Sequence, residues 1–168
     1  RYRLVGSEMC IRDRKYSFKH KILIGQKIKK ICKKNKVKFL INDDPILAKR
    51  LGADGCHLGQ KDMNIKEARK IIGKKIIGIT CHNSITLAKI AINAKASYLA
   101  FGAFYSSKTK KTKYAANIKI LNKIKKITKT PIVAIGGINS KNYKKLLLNN
   151  ANFLAISGYI WNNKKYKP

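Results

Sequence analysis

The sequence predicts a parallel α/β fold: a (β/α)8 TIM barrel that is incomplete, with about six of its eight βα units present. Three observations predict it. Six short runs are near-continuously apolar rather than alternating, as strands buried on both faces are. Their starts lie 16 to 34 residues apart, room for a crossover helix each time. The segments between them carry helical periodicity and capping residues.

The first run, "KFLIND" (38–43), leads into "DPILAKRLGA", where Asp44 is placed to cap a helix and Pro45 to open it. "DGCHLGQ" (54–60) is followed by "NIKEARKIIG", with Asn64 as cap and Glu67 three residues on. "KIIGIT" (75–80) precedes "NSITLAKIAINAKA". After "SYLAFG" (97–102) a helix is expected over "YAANIKILNKIKKITKT", whose Ile120, Leu121, Ile124 and Ile127 form one stripe. "PIVAIGG" (131–137) leads to "NSKNYKKLLLNNA", and "NFLAIS" (152–157) leads to "GYIWNN". Upstream, "HKILIGQKIKKICKKNK" reads as a helix whose own strand should lie earlier. A full barrel usually needs about 250 residues. Residues 15–168 therefore read as a barrel domain clipped at both ends. Residues 1–14 show neither period and read as a separate segment; "VGSEMCIRDR" resembles translated adapter sequence.

Thirty-nine Lys and Arg face seven Asp and Glu, a net charge of +32. Such charge suits a polyanion partner. Here Lys, Asn and Ile dominate together and Lys far outnumbers Arg, as genome-wide composition bias would produce. The lysines fall on the outer faces of the expected helices, so no nucleic-acid partner is expected. Cys10, Cys32, Cys56 and Cys81 form no C-x-x-C pair, which argues against a zinc site or disulfide framework and for the cytoplasm. No apolar run is long enough for a bilayer, and no membrane association is expected.

Four of the seven acids, Asp43, Asp44, Asp54 and Asp62, fall in one stretch, "FLINDDPILAKRLGADGCHLGQKD". Asp44 reads as a helix cap and Asp54 as part of a "GADG" turn. Asp43 and Asp62 lie just past two adjacent strands. In a parallel barrel the C-terminal strand ends converge on one face. Two carboxylates there suit Mg²⁺, which takes one or two carboxylates and completes its shell with water and substrate phosphate. The third strand offers the Thr80 hydroxyl and, just beyond, His82. In "FGAFYSSKTKKTK", Lys110 supplies a point charge, and Ser107 and Thr109 supply hydrogen bonds, for a phosphate. The glycines of "IGGI" and "ISG", after the last two strands, expose backbone N–H groups to a second phosphate.

With these motifs in order from about Lys15 to Trp161, the chain resembles the thiamine-phosphate synthase family. The resemblance implies a (β/α)8 barrel that joins 4-amino-2-methyl-5-pyrimidinylmethyl diphosphate to thiazole phosphate, giving thiamine phosphate and diphosphate. It implies Mg²⁺ on Asp43 and Asp62. It implies contacts from Asn42, Thr80 and Lys110 to the pyrimidine diphosphate, with Thr80 and Lys110 as the catalytic residues. It implies thiazole phosphate held by Ser107, Lys108, Thr109, Gly137, Ile156 and Ser157. Thr80 stands where the family usually has Ser, and Ser106–Ser107 where it has Pro-Thr; both keep the hydroxyl. The family's Q-x-R-x-K diphosphate grip is not in this sequence; "CIRDR", with Arg12 and Arg14, falls near its position.

Two other readings compete. A thiazole tautomerase of the same superfamily would keep the thiazole phosphate contacts and use His82 as its acid–base residue, but has no need of Asp43, Asp62 and Lys110. A basic nucleic-acid-binding protein would need arginines interleaved with aromatics, which residues 15–168, with only Arg50 and Arg69, lack.

Overall fold

The structure is a computed structural model that describes residues 4–6, 17–106 and 114–162. Among these it contains seven strands, each followed in the chain by a helix: β1 (Leu4–Gly6), α1 (Phe18–Lys34), β2 (Lys38–Asn42), α2 (Pro45–Leu51), β3 (Gly55–Leu58), α3 (Ile65–Ile72), β4 (Ile76–His82), α4 (Ile85–Asn93), β5 (Tyr98–Phe101), α5 (Lys119–Ile127), β6 (Ile132–Ile135), α6 (Tyr143–Leu148), β7 (Phe153–Ala155) and α7 (Gly158–Trp161).

The chain divides into two compact units, Arg1–Gly78 and Ile79–Pro168, with the boundary inside β4. In the first unit the strand order is β1-β2-β3-β4. β1 runs parallel to β2 with Leu4 opposite Lys38, and β2 runs parallel to β3 with Asn42 opposite His57. In the second unit the order is β4-β5-β6-β7, with Phe101 opposite Ala134 and Ile135 opposite Ala155, again parallel. Parallel order that follows the chain is what successive βα units produce.

β1 corrects the sequence reading, which predicts six strands and leaves residues 1–14 without an element. Three residues are too few to show a period, and β1 declares itself only through its register with β2. The flank of β2 that six strands would leave open is paired. The helix expected to start at Tyr114 starts at Lys119 instead. The chain before it bonds elsewhere: Ala103 N–H donates to Tyr114 O at 3.2 Å, Ala116 N–H to Ala103 O at 2.8 Å, and Asn117 N–H to the Asn83 side chain at 3.1 Å.

The core is built from the strands. Ile41, Leu58, Ile77, Leu99, Phe101 and Ile132 are fully enclosed. Burying such side chains contributes roughly 1.5–3 kcal/mol each. β7 is the exception, with Phe153 and Leu154 half-buried and Ala155 exposed. Local chemistry starts the helices as expected. Asp44 accepts from Leu47 N–H at 2.8 Å, Asn64 from Glu67 N–H at 3.0 Å, and Ser84 from Leu87 N–H at 3.2 Å.

Asp54 does more than fill a turn. Its carboxylate accepts the Phe39 N–H at 2.8 Å and the Lys38 ammonium at 3.1 Å, tying the start of β2 to the start of β3. Burial pushes its pKa up, but the Phe39 amide and the Lys38 cation outweigh this and leave it below the usual 3.8. A lowered folded pKa gives stability that is present above 3.8 and lost as pH falls through the folded value. Asp54→Ala should therefore cost roughly 1 to 2 kcal/mol at pH 7, a modest figure because the pair is partly exposed. In urea titrations the gap from the parent should narrow as pH drops below 3.8. A gap unchanged down to pH about 2 would rule out the charge as its source.

Candidate active site at the strand ends

In the first unit, Asp43 and Asp62 lie just past the ends of β2 and β3. Asp43 follows β2 directly and is exposed, with φ at +64°. Asp and Asn tolerate this left-handed region better than other side chains. Asp43 N–H donates to His57 O at 2.8 Å, locking the end of β2 onto β3. Asn42, the last residue of β2, is half-buried opposite His57. After β3 the chain turns through Gly59, and Asp62 Oδ2 accepts the Gly59 N–H at 2.7 Å.

His57 links the two acids. Its backbone carbonyl holds Asp43, and its ring senses Asp62. Burial pushes the imidazole down to about 4, while the Asp62 charge pulls it upward. The ring is thus neutral at pH 7 and sets no positive charge beside the carboxylates. Adjacent strands are about 4.8 Å apart, so acids one residue past β2 and in the turn after β3 stand at neighbouring strand ends. One oxygen of Asp62 is committed to Gly59. Oxygen donors of this kind fit Mg²⁺.

In the second unit, Thr80 lies within β4, two residues before its end at His82, and is half-buried. His82 has φ at +51°, and its ring stacks on Tyr114 with centroids 3.8 Å apart and planes 21° from parallel. Ser107, Lys108, Thr109 and Lys110 lie outside the described residues, as do Arg12 and Arg14. The residues just before them are held: Phe104 N–H donates to Ile135 O at 3.1 Å and Tyr105 N–H to Gly136 O at 3.2 Å.

Gly136 and Gly137 follow β6 with φ at +94° and +61°. A Cβ built on Gly137 would fall 2.7 Å from the Tyr105 carbonyl oxygen and closer still to that of Ser106. The glycines therefore permit both the turn and the close approach of residues 103–106. Ile156 and Ser157 follow β7 and are half-buried, and the Ser157 carbonyl accepts from Ile160 and Trp161 at the start of α7. Sequence reasoning missed three residues here. Tyr114 stacks on a histidine 32 positions earlier, which no local pattern announces. Tyr105 and Asn142 clamp the glycine turn; the Gly137-to-Asn142 spacing was the available signal.

Comparison with known proteins bears on this arrangement. The chain matches the thiamine monophosphate synthase family over residues 8–160. It belongs to that family. It is 71% identical over 158 residues to thiamine-phosphate synthase of Pelagibacter ubique, covering 94% of this chain and 76% of that one. It is 40% identical over 151 residues to the Marinobacter nauticus thiamine-phosphate synthase, covering 89% and 68%. Among solved structures, thiamine phosphate pyrophosphorylase from Pyrococcus furiosus superposes with a TM-score of 0.82 at 26% identity, over 90% of this chain and 72% of that one. The fold class is the α/β barrel of the thiamine monophosphate synthase family. The family match starts at residue 8, upstream of the domain start at Lys15 expected from the sequence.

Proposed function

We propose that the strand ends of this chain hold pyrimidinylmethyl diphosphate and thiazole phosphate for synthesis of thiamine phosphate. As a member of the thiamine monophosphate synthase family, the chain is a transferase of thiamine biosynthesis, a thiamine-phosphate diphosphorylase. The observation that carries the site reading is the pair of carboxylates just past β2 and β3, with Asp43 tied to β3 through the His57 carbonyl and Asp62 tied to the Gly59 amide.

In this reading Asp43 and Asp62 hold Mg²⁺. When bound, the ion supplies electrostatic relief for the charge that grows on the departing diphosphate. Lys110 acts on the same charge as a point cation, and Asn42 and the Thr80 hydroxyl orient the pyrimidine diphosphate by hydrogen bonds. The Gly137 amide, Ile156, Ser157 and the Ser107–Thr109 segment hold the thiazole phosphate. The carbon–oxygen bond to diphosphate breaks to leave a stabilised pyrimidinylmethyl cation, which the thiazole nitrogen then attacks. No side chain serves as nucleophile or general base, in keeping with a His57 held down to about 4, a weak base, and with three buried cysteines among the described residues, Cys32, Cys56 and Cys81. Burial pushes Cys56 up to about 11 and Cys81 up to about 12, far from the thiolate form at pH 7.

The same reading places the protein in the cytoplasm with small-molecule substrates, without nucleic-acid or membrane partners. No helix among the described residues is long and apolar enough to cross a membrane. The test is to incubate the chain with both substrates and follow thiamine phosphate and diphosphate, with Mg²⁺ and with a chelator. Equimolar products that vanish with the chelator are expected. Rearrangement of the thiazole phosphate alone, indifferent to the chelator, would point to a tautomerase instead.

A further inference from the structure

The turn after β6 has both of its carbonyls tied. Gly136 O accepts from the Tyr105 N–H at 3.2 Å, and Gly137 O accepts from Asn142 Nδ2 at 3.0 Å. In a planar trans peptide the N–H points opposite to the C=O. Fixing Gly136 O therefore aims the Gly137 N–H, and fixing Gly137 O aims the Ile138 N–H. Among the described residues neither of these two N–H groups meets a backbone acceptor. Asn142 is itself braced. Its Oδ1 accepts from the Asn139 N–H at 2.9 Å, and its main-chain carbonyl accepts from the Tyr105 hydroxyl at 3.4 Å.

We propose that Asn142 is a positioning residue for the thiazole phosphate. Through the Gly137 carbonyl it aims the Ile138 N–H, so that Gly137 and Ile138 present two successive amide donors to one phosphate. Successive backbone amides make an anion-binding concavity without any cationic side chain. The inference rests on the reading of Gly137 as a phosphate contact and adds two things to it: a second donor and the side chain that orients it. The bond from Nδ2 to Gly137 O is the one that concerns the ligand.

The experiment titrates thiazole phosphate and, separately, the pyrimidine diphosphate into the full chain and into Asn142→Ala and Ser157→Ala, with melting temperatures recorded for all three. Asn142→Ala should weaken thiazole phosphate binding about tenfold, the loss of one hydrogen bond to an anion, and leave the pyrimidine diphosphate within about twofold. Ser157→Ala, a direct contact in the same reading, should also weaken thiazole phosphate alone. If Ser157→Ala weakens it and Asn142→Ala does not, the positioning role is wrong and the phosphate reading stands. If Asn142→Ala lowers the melting temperature and weakens both ligands equally, the residue is a structural staple and the proposal fails. If the parent chain does not bind thiazole phosphate, the proposal and the reading beneath it fall together.

Discussion

Asp43→Asn and Asp62→Asn should each lower Mg²⁺-dependent thiamine phosphate formation by roughly a hundredfold or more, the scale on which single groups stabilising transition-state charge act. Asparagine is the informative replacement at both positions. At Asp43 it tolerates the φ of +64°, where alanine would add backbone strain to any catalytic effect. At Asp62 its side-chain oxygen can still accept the Gly59 N–H, so the turn after β3 is kept. What each variant loses is one negative charge, and with it affinity for a hard divalent cation. The Mg²⁺ concentration for half-maximal rate should therefore rise, and excess Mg²⁺ should recover part of the activity. The two variants should be far from additive in combination, because both carboxylates serve one ion. Asp54→Asn is the control: it removes the same charge from a carboxylate that pins Phe39 and Lys38, and should leave the rate unchanged. Activity at the parent level in both site variants, across the whole Mg²⁺ range, would end the metal assignment.

How far the fold could be read from the chain follows from which interactions are local. Strands buried on both faces must be apolar throughout, so Ile41, Leu58, Leu99 and Ile132 stand out in continuous runs. Helix starts at Asp44 and Asn64 are equally legible, since cap and acceptor lie three residues apart. β1 has no such mark: it consists of three residues whose partner begins at Lys38. The late start of α5 is a tertiary effect, because Tyr114 and Ala116 spend their hydrogen bonds on Ala103 rather than on a helical turn. The site divides in the same way. The placement of Asp43 and Asp62 just past two strands was legible because those strands are continuous apolar runs with clear ends. For Asp54 the partner Phe39 lies fifteen positions away, and only the folded chain shows that its carboxylate braces a strand. His82 and Tyr114 meet only through the fold.

Gly137→Ala should damage both stability and ligand binding, and the two losses can be separated. At φ +61° an L side chain costs roughly 1–2 kcal/mol. The added methyl would also meet the backbone carbonyls of Tyr105 and Ser106, which cannot swing aside as a flexible side chain would. Overpacking of this kind costs a further 1–3 kcal/mol or so. The chain can relieve it only by moving residues 103–106 away from the turn, which stretches the Tyr105 N–H bond to Gly136 O and frees the Gly137 amide to rotate. Unfolding by urea should show a loss of about 2 to 5 kcal/mol, the sum of these two terms. Among molecules that remain folded, thiazole phosphate affinity should fall at least tenfold or so, since the amide that meets the phosphate has lost its aim. Gly52→Ala is the matched comparison. Gly52 also has positive φ, at +59° with ψ at +39° in the left-handed region, but a Cβ there meets only the flexible end of the Lys29 side chain. It should show the conformational cost alone and bind thiazole phosphate as the parent does. Equal losses at the two glycines would mean that the crowding around Gly137 contributes nothing and that its neighbours yield freely.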